Sequence, residues 1–121
     1  MLRTITTAVA TGTLLAALGV ATTGTAHAAP QAYPKAYLHT TVTQWTHWTP
    51  DANTSSHAGT LYAGTNYFYC HIQGATYGVN GRYSATWLLT DDDSGNRNVY
   101  VSDLNLTEDD WINEYHYLGP C

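Results

Sequence analysis

From Tyr37 onward, apolar and polar positions alternate in short runs, each closed by turn-forming residues. A period of two puts successive side chains on opposite faces of a strand. Tyr37 to Trp48 is rich in Thr, Val and Trp, with polar residues between. Pro50-Asp51-Ala52-Asn53-Thr54-Ser55-Ser56 is a loop by composition. Gly59-Thr60-Leu61-Tyr62 reads as a short strand before a turn at Ala63-Gly64-Thr65. Asn66 to Ile72 alternates throughout: Phe68, Cys70 and Ile72 fall on one face, Tyr67, Tyr69 and His71 on the other. The first set predicts core and the second an outer surface, so loss of either tyrosine ring should leave no core cavity. Gly74 to Gly81 reads as a glycine-punctuated loop. Tyr83 to Thr90 is the next strand, with Trp87 and Leu89 opposite Thr86 and Leu88. Asp91-Asp92-Asp93-Ser94-Gly95-Asn96 is a hairpin connection to a strand at Asn98 to Ser102, where Val99 and Val101 share a face. Thr107 and Asp110 have capping-box spacing, which predicts a short helical turn. The pattern predicts an all-β domain of about five to seven short strands, a small barrel or sandwich.

The N-terminal segment has a different character. Arg3 supplies a positive start, Ile5 to Val20 is weakly apolar, and Ala26-His27-Ala28 is a small-x-small cleavage pattern. These predict an export signal over residues 1–28, cut before Ala29. The Thr-rich run is too polar and short for a membrane span, which needs about 20 apolar residues. The expected mature chain is the remaining 93 of 121 residues, secreted into an oxidising place. Residues 29–36, with Pro30 and Pro34, read as a flexible leader, and 37–121 as one domain. A domain of this size buries only about 60–70% of its unfolded surface, so one core is marginal. Cys70 and Cys121 are the chain's only cysteines. An even count in an exported chain reads as one disulfide, with two free thiols as the alternative. Closing 51 positions would contribute roughly 4 kcal/mol in the chain-entropy picture.

Charge excludes some partners. The mature part keeps three cations, Lys35, Arg82 and Arg97, against nine carboxylates. No basic stripe exists for nucleic acid, and anionic membranes are equally unsuited. Acidity alone reads as the solubility of a secreted protein. No Gly-x-Ser-x-Gly, Cys–His arrangement or paired-carboxylate pattern points to catalysis, so no enzyme activity is expected. Asp91 to Asp93 resembles a calcium loop, but Ser94 precedes Gly95 and no Glu stands at the twelfth place, so a solvated turn is the plainer reading. His39, His47, His57, His71 and His116 lack zinc-type spacing and read as scattered surface residues. No metal or other cofactor is implied.

Gly59-Thr60-Leu61-Tyr62-Ala63-Gly64-Thr65, Cys70, Gly74, Tyr83 to Trp87, and Asn98-Val99-Tyr100-Val101-Ser102-Asp103 together resemble a bacterial SH3-like domain. The resemblance covers roughly residues 38–106. It includes the small secreted single-domain form, in which a C-terminal Cys pairs with the mid-strand Cys. The family's usual opening is replaced by Thr43-Gln44-Trp45-Thr46-His47-Trp48-Thr49-Pro50, Val99 stands where Gly is usual, and Asn105 where an aromatic often sits. The resemblance implies an SH3-like barrel that binds extended peptide along an aromatic groove.

The aromatic residues are the candidate binding set. Such grooves suit preformed, extended ligands, which lose little entropy on binding. Trp45 and Trp48 lie beside the loop that starts at Pro50, and Tyr67 and Tyr69 line the outer face of the long strand. Trp87 and Tyr100 match the family's strand Trp and closing Tyr, and Trp87 serves equally well as core. Asp91 to Asp93 would give the groove a negative rim, suited to a cationic or zwitterionic peptide. Two functions follow. One is a secreted module that recognises peptide, here cell-wall peptidoglycan peptide, as the resemblance to wall-targeting domains implies. The other is a small secreted inhibitor or interaction protein that docks on another exported protein through an exposed loop, such as Ala75 to Gly81 or Pro50 to His57.

Overall fold

The computed structural model describes residues 33–121; the expected export signal lies outside the described residues. The strands are β1 (Ala36–Thr40), β2 (Gln44–His47), β3 (His57–Leu61), β4 (Gly64–Phe68), β5 (Cys70–Val79), β6 (Arg82–Thr90) and β7 (Val99–Ser102). Two 3-10 turns, Thr54–Ser56 and Asp103–Asn105, and one helix, α1 (Glu108–Tyr117), complete the described residues. The fold is all-β in its framework. Its strands form two sheets rather than one closed barrel: β1 pairs with β4, and the larger sheet has the order β3-β2-β7-β6-β5. All pairings between named strands are antiparallel.

The alternation read over Asn66 to Ile72 holds for Phe68 and Cys70, which are fully buried, while Ile72, expected beside them in the core, is only half-buried. It does not make one strand. Up to Phe68 the chain pairs with β1, and from Cys70 it pairs with β6. Tyr69 bridges the change and donates its amide to the Leu89 carbonyl at 2.9 Å. A period of two survives such a change of partner, so alternation cannot reveal it. The core lies between the sheets: Leu38 and Phe68 from one, Leu61, Leu88 and Val101 from the other, closed by Leu106 and Leu118.

Two expectations need correction. Gly74 to Gly81 is not a loop. β5 runs to Val79, and Asn80-Gly81 makes a two-residue turn into Arg82. Both turn residues have positive φ, 51° and 80°, the combination that type I′ hairpin turns require. Gly74 lies where the register shifts, and a Cβ there would overlap the Pro50 carbonyl and come within 2.8 Å of the Trp87 ring. The expected helical turn is a full helix of ten residues. Thr107 makes no side-chain cap bond. Instead Thr107 donates its amide to the His39 carbonyl at 2.9 Å. Asp110 Oδ2 accepts from the His39 amide at 2.7 Å and meets its ring Nδ1 at 2.9 Å. The predicted capping pair thus docks the helix on β1. The acidic first turn, Glu108 to Asp110, also suits the positive end of the helix dipole.

Cys70 and Cys121 form the disulfide, spanning 51 positions. The tail runs beside β5: His71 donates to the Gly119 carbonyl and accepts from the Cys121 amide. The Tyr33 hydroxyl reaches the Cys121 carbonyl, so the end of the expected leader is tied down, and Ala36 already belongs to β1.

Candidate functional site

The larger sheet is split. β2 and β7 pair only at His47 and Tyr100. The remainder of β2 and the segment Ser102 to Asn105 border a cleft of about 420 Å³, lined by Gln44, Trp45, His47, Tyr77, Trp87 and Asn105 among others. Trp87 is 2% exposed, and its indole Nε1 donates to the Ala75 carbonyl at 2.8 Å. It is thus both core and cleft wall. Trp45 is half exposed and stacks on His57, with ring centroids 3.8 Å apart. Tyr77 and His47 stand about Trp87, with centroids at 6.0 and 6.1 Å.

Two polar groups of the cleft have fixed orientations. His47 Nδ1 lies 2.9 Å from Ser56 Oγ, which itself donates to the Asp51 carboxylate. Bonds from Ser56, Thr49 and the Asn53 amide hold the Asp51 carboxyl below its ordinary pKa. An ionised Asp51 accepts the Ser56 hydroxyl hydrogen bond, so Ser56 Oγ accepts in turn from His47 Nδ1–H. That leaves Nε2 as the ring's lone-pair nitrogen. Burial lowers the His47 pKa, partly countered by Asp51 and the Asn53 backbone, which favours the neutral ring. The Gln44 amide is fixed likewise. Asn105 Nδ2 donates to Gln44 Oε1 at 2.8 Å, which leaves the buried Gln44 Nε2 as a donor without a partner. The cleft thus combines an oriented amide and an oriented imidazole with aromatic walls.

Of the aromatic residues expected to bind, Trp45 and Trp87 line this cleft. Trp48 is half exposed but outside its lining, as is the partly buried Tyr100, although Tyr100 pairs with His47. Tyr67 and Tyr69 are elsewhere and are only partly exposed. Their hydroxyls both donate to Asp91 Oδ2, at 2.7 and 2.6 Å. The expectation of free outer rings is corrected: the pair clamps the loop after β6. Burial and then the bond to Asp91 raise the Tyr69 pKa; for Tyr67 the Asp91 bond comes first.

The acidic loop is built in the same way. Burial alone would raise the Asp91 carboxyl, but Tyr69, Tyr67 and the Asn98 amide outweigh it and hold it below the ordinary range. Asp92 is lowered too: burial is outweighed by Thr46, Asn96 and Ser94. Asp93 Oδ2 accepts the Tyr62 amide at 2.8 Å. These carboxylates are already taken by donors of the chain itself. Among the described residues, no three His, Cys, Asp or Glu side chains converge as metal ligands.

His47, Gln44 and Tyr77 are the site residues that sequence reasoning missed. Only the i, i+2 relation of Trp45 and His47 signalled one of them. Comparison of the chain with protein-family models, with curated proteins and with solved structures finds no match.

Proposed function

We propose that this protein is an exported, non-catalytic binding module of the SH3-like kind, its barrel opened into two sheets, and that it holds cell-wall peptide in the cleft between β2 and β7. The observation that carries the reading is the aromatic cleft itself, walled by Trp45, Tyr77 and Trp87, with the Gln44 amide and the His47 ring in its lining. A peptide unit presents the complementary carbonyl and N–H, and flat rings hold an extended backbone at little entropic cost. The acidic balance of the chain suits a cationic or zwitterionic peptide. The alternative, an inhibitor docking through its loops, has less to stand on. Residues 75–81 are mostly strand, and Asp51 ties Pro50 to His57 together from within.

Retention on purified wall sacculi tests the proposal. Trp45→Ala should lose binding by on the order of 2 kcal/mol, the scale of an aromatic anchor. Trp48→Ala, equally exposed but outside the cleft, should bind as the parent does. A parent that does not bind sacculi, or equal losses from both variants, would refute the reading.

A further inference from the structure

A second concavity, of about 360 Å³, lies between the start of β6, the turn Asp103–Asn105 and α1. Ser84, Thr86, Asp103, Trp111, Glu114 and Tyr115 line it. It is separate from the cleft and shares no lining residue with it. Its floor is unusual for so small a domain. Asp103 is 2% exposed and Glu114 5%, and both carboxyls face the same pocket. One oxygen of each, Asp103 Oδ1 and Glu114 Oε1, is buried without a partner, and so is the indole Nε1 of Trp111.

Two carboxyls in one buried site repel when both are ionised, and either one ionised is a buried charge. Burying such a charge without a counter-ion costs several kcal/mol on the scale of buried ions. Among the described residues no cation pairs with either carboxylate. Arg82 is the nearest in role, but its guanidinium lies over the Trp111 ring, 4.1 Å from the centroid, and faces Glu108 at 3.9 Å. The walls are apolar and the mouth is open: Ile112 is 63% exposed and Tyr115 57%. The Tyr115 hydroxyl is held by Thr86 Oγ1 at 2.8 Å, which fixes one wall.

We propose that this pocket binds an organic monocation on a short alkyl stem, the chemistry of a lysine or arginine side chain, with its N–H donors on the Asp103 and Glu114 carboxyls. The stem lies along Trp111 and Ile112. A ligand backbone carbonyl then satisfies the Trp111 indole. Burial, followed by the bond to and charge of Asp103, raises the Glu114 pKa. A bound cation opposes that shift, so binding releases protons. The charged and titratable groups around the pair are Arg82 on β6, His71 on β5 stacked on Tyr115 at 4.3 Å, and Glu108 on α1.

The test uses the secreted, disulfide-bonded protein and amide NMR titrations with n-butylammonium and n-butylguanidinium chloride. Either cation should shift the Trp111 indole resonance saturably, and the tighter of the two identifies the preferred head group. Neutral n-butanol and potassium chloride should not. The isosteric pair Asp103→Asn with Glu114→Gln removes the charge and should weaken binding at least roughly tenfold. An equal shift with n-butanol, a response to potassium chloride, no saturable shift with either cation, or full binding by the folded double variant overturns the proposal. Should that variant not fold, calorimetry of the parent in two buffers of different ionisation enthalpy decides. Proton release on n-butylammonium binding at mildly alkaline pH supports the proposal, and its absence overturns it.

Discussion

Asp91→Asn is the most informative single change to the framework. Its carboxylate takes two tyrosine hydroxyls on Oδ2 and the Asn98 amide on Oδ1, at 3.0 Å. Asn98 has positive φ, 57°, so this last bond also fixes a left-handed turn residue at the start of β7. An asparagine keeps the shape. Its carbonyl can serve Asn98, but its NH2 then faces the two hydroxyls, which must turn round to accept. The loss is the charge assistance of two bonds, each worth up to about 1.5 kcal/mol beyond a neutral one. Partial exposure of the tyrosines reduces this, so the total expected is about 2 kcal/mol. In a domain of this size that lowers Tm by about 10 °C. Urea unfolding at neutral pH measures it. Tyr67→Phe and Tyr69→Phe should each cost about 1 kcal/mol, and combining them with Asp91→Asn should cost less than the sum, because they share one acceptor. The pH sign is fixed as well. The folded pKa of Asp91 is lowered, so its contribution is complete above the ordinary Asp value and is lost as pH falls through the folded one. The gap between parent and variant should therefore close in acid. A change within about 0.5 kcal/mol at neutral pH, the level of an ordinary surface substitution, would refute the clamp.

Four further outcomes are expected. Cys121→Ala should lower stability by roughly 2–5 kcal/mol in urea melts, and two free thiols in the denatured, unreduced protein would contradict the bond seen here. Phe68→Ala should cost roughly 3–5 kcal/mol as a core deletion, and a negligible cost would place that ring outside the core. Retention on sacculi should fall as pH drops through the lowered His47 value, since protonation removes the Nε2 lone pair; retention flat across that window contradicts a role for His47. Stability should also decline as pH rises from the ordinary Glu range toward the raised Glu114 value, where the folded state holds the extra proton. Asp103→Asn with Glu114→Gln should flatten that limb, and an unchanged alkaline profile counts against the raised Glu114 value.

How much of this was legible in the chain depended on range. Period-two runs exposed Phe68, Cys70, Val99 and Val101 as inward residues, because alternation is a property of the strand itself. The same signal hid the change of sheet at Tyr69, since both sheets impose the same period. Three glycines made residues 74–81 look like a loop, although Asn80-Gly81 is itself a strong hairpin signal. α1 was underestimated because its inward side carries Glu114 beside Trp111, a weak apolar stripe, and because it is docked by His39, 71 positions from Asp110. The cleft was half legible. Trp45 and Trp87 stood out as aromatics. Gln44 and His47 matter only because Asn105, Ser56 and Asp51 orient them, and the Gln44–Asn105 contact spans 61 positions.

The acidic composition carries more than solubility. In composition alone, nine carboxylates against three cations in residues 29–121 look like a charged coat. In the fold, five of them are staples. Asp51 organises the loop under His47, Asp91 clamps two tyrosines, Asp92 and Asp93 tie the β6–β7 loop to neighbouring segments, and Asp110 docks the helix. Glu108 and Asp109 favour the helix start, and Asp103 and Glu114 form the floor of the second pocket. A core of seven clustered side chains is small. Loops fixed by carboxylates that accept N–H and O–H donors add to it what apolar burial cannot supply at this length. That arrangement places most of the domain's acid sensitivity in its loops. It leaves Asp103 and Glu114 as the buried carboxylates whose bonds within the chain are incomplete, which is why the proposed cationic ligand belongs there rather than at the acidic loop.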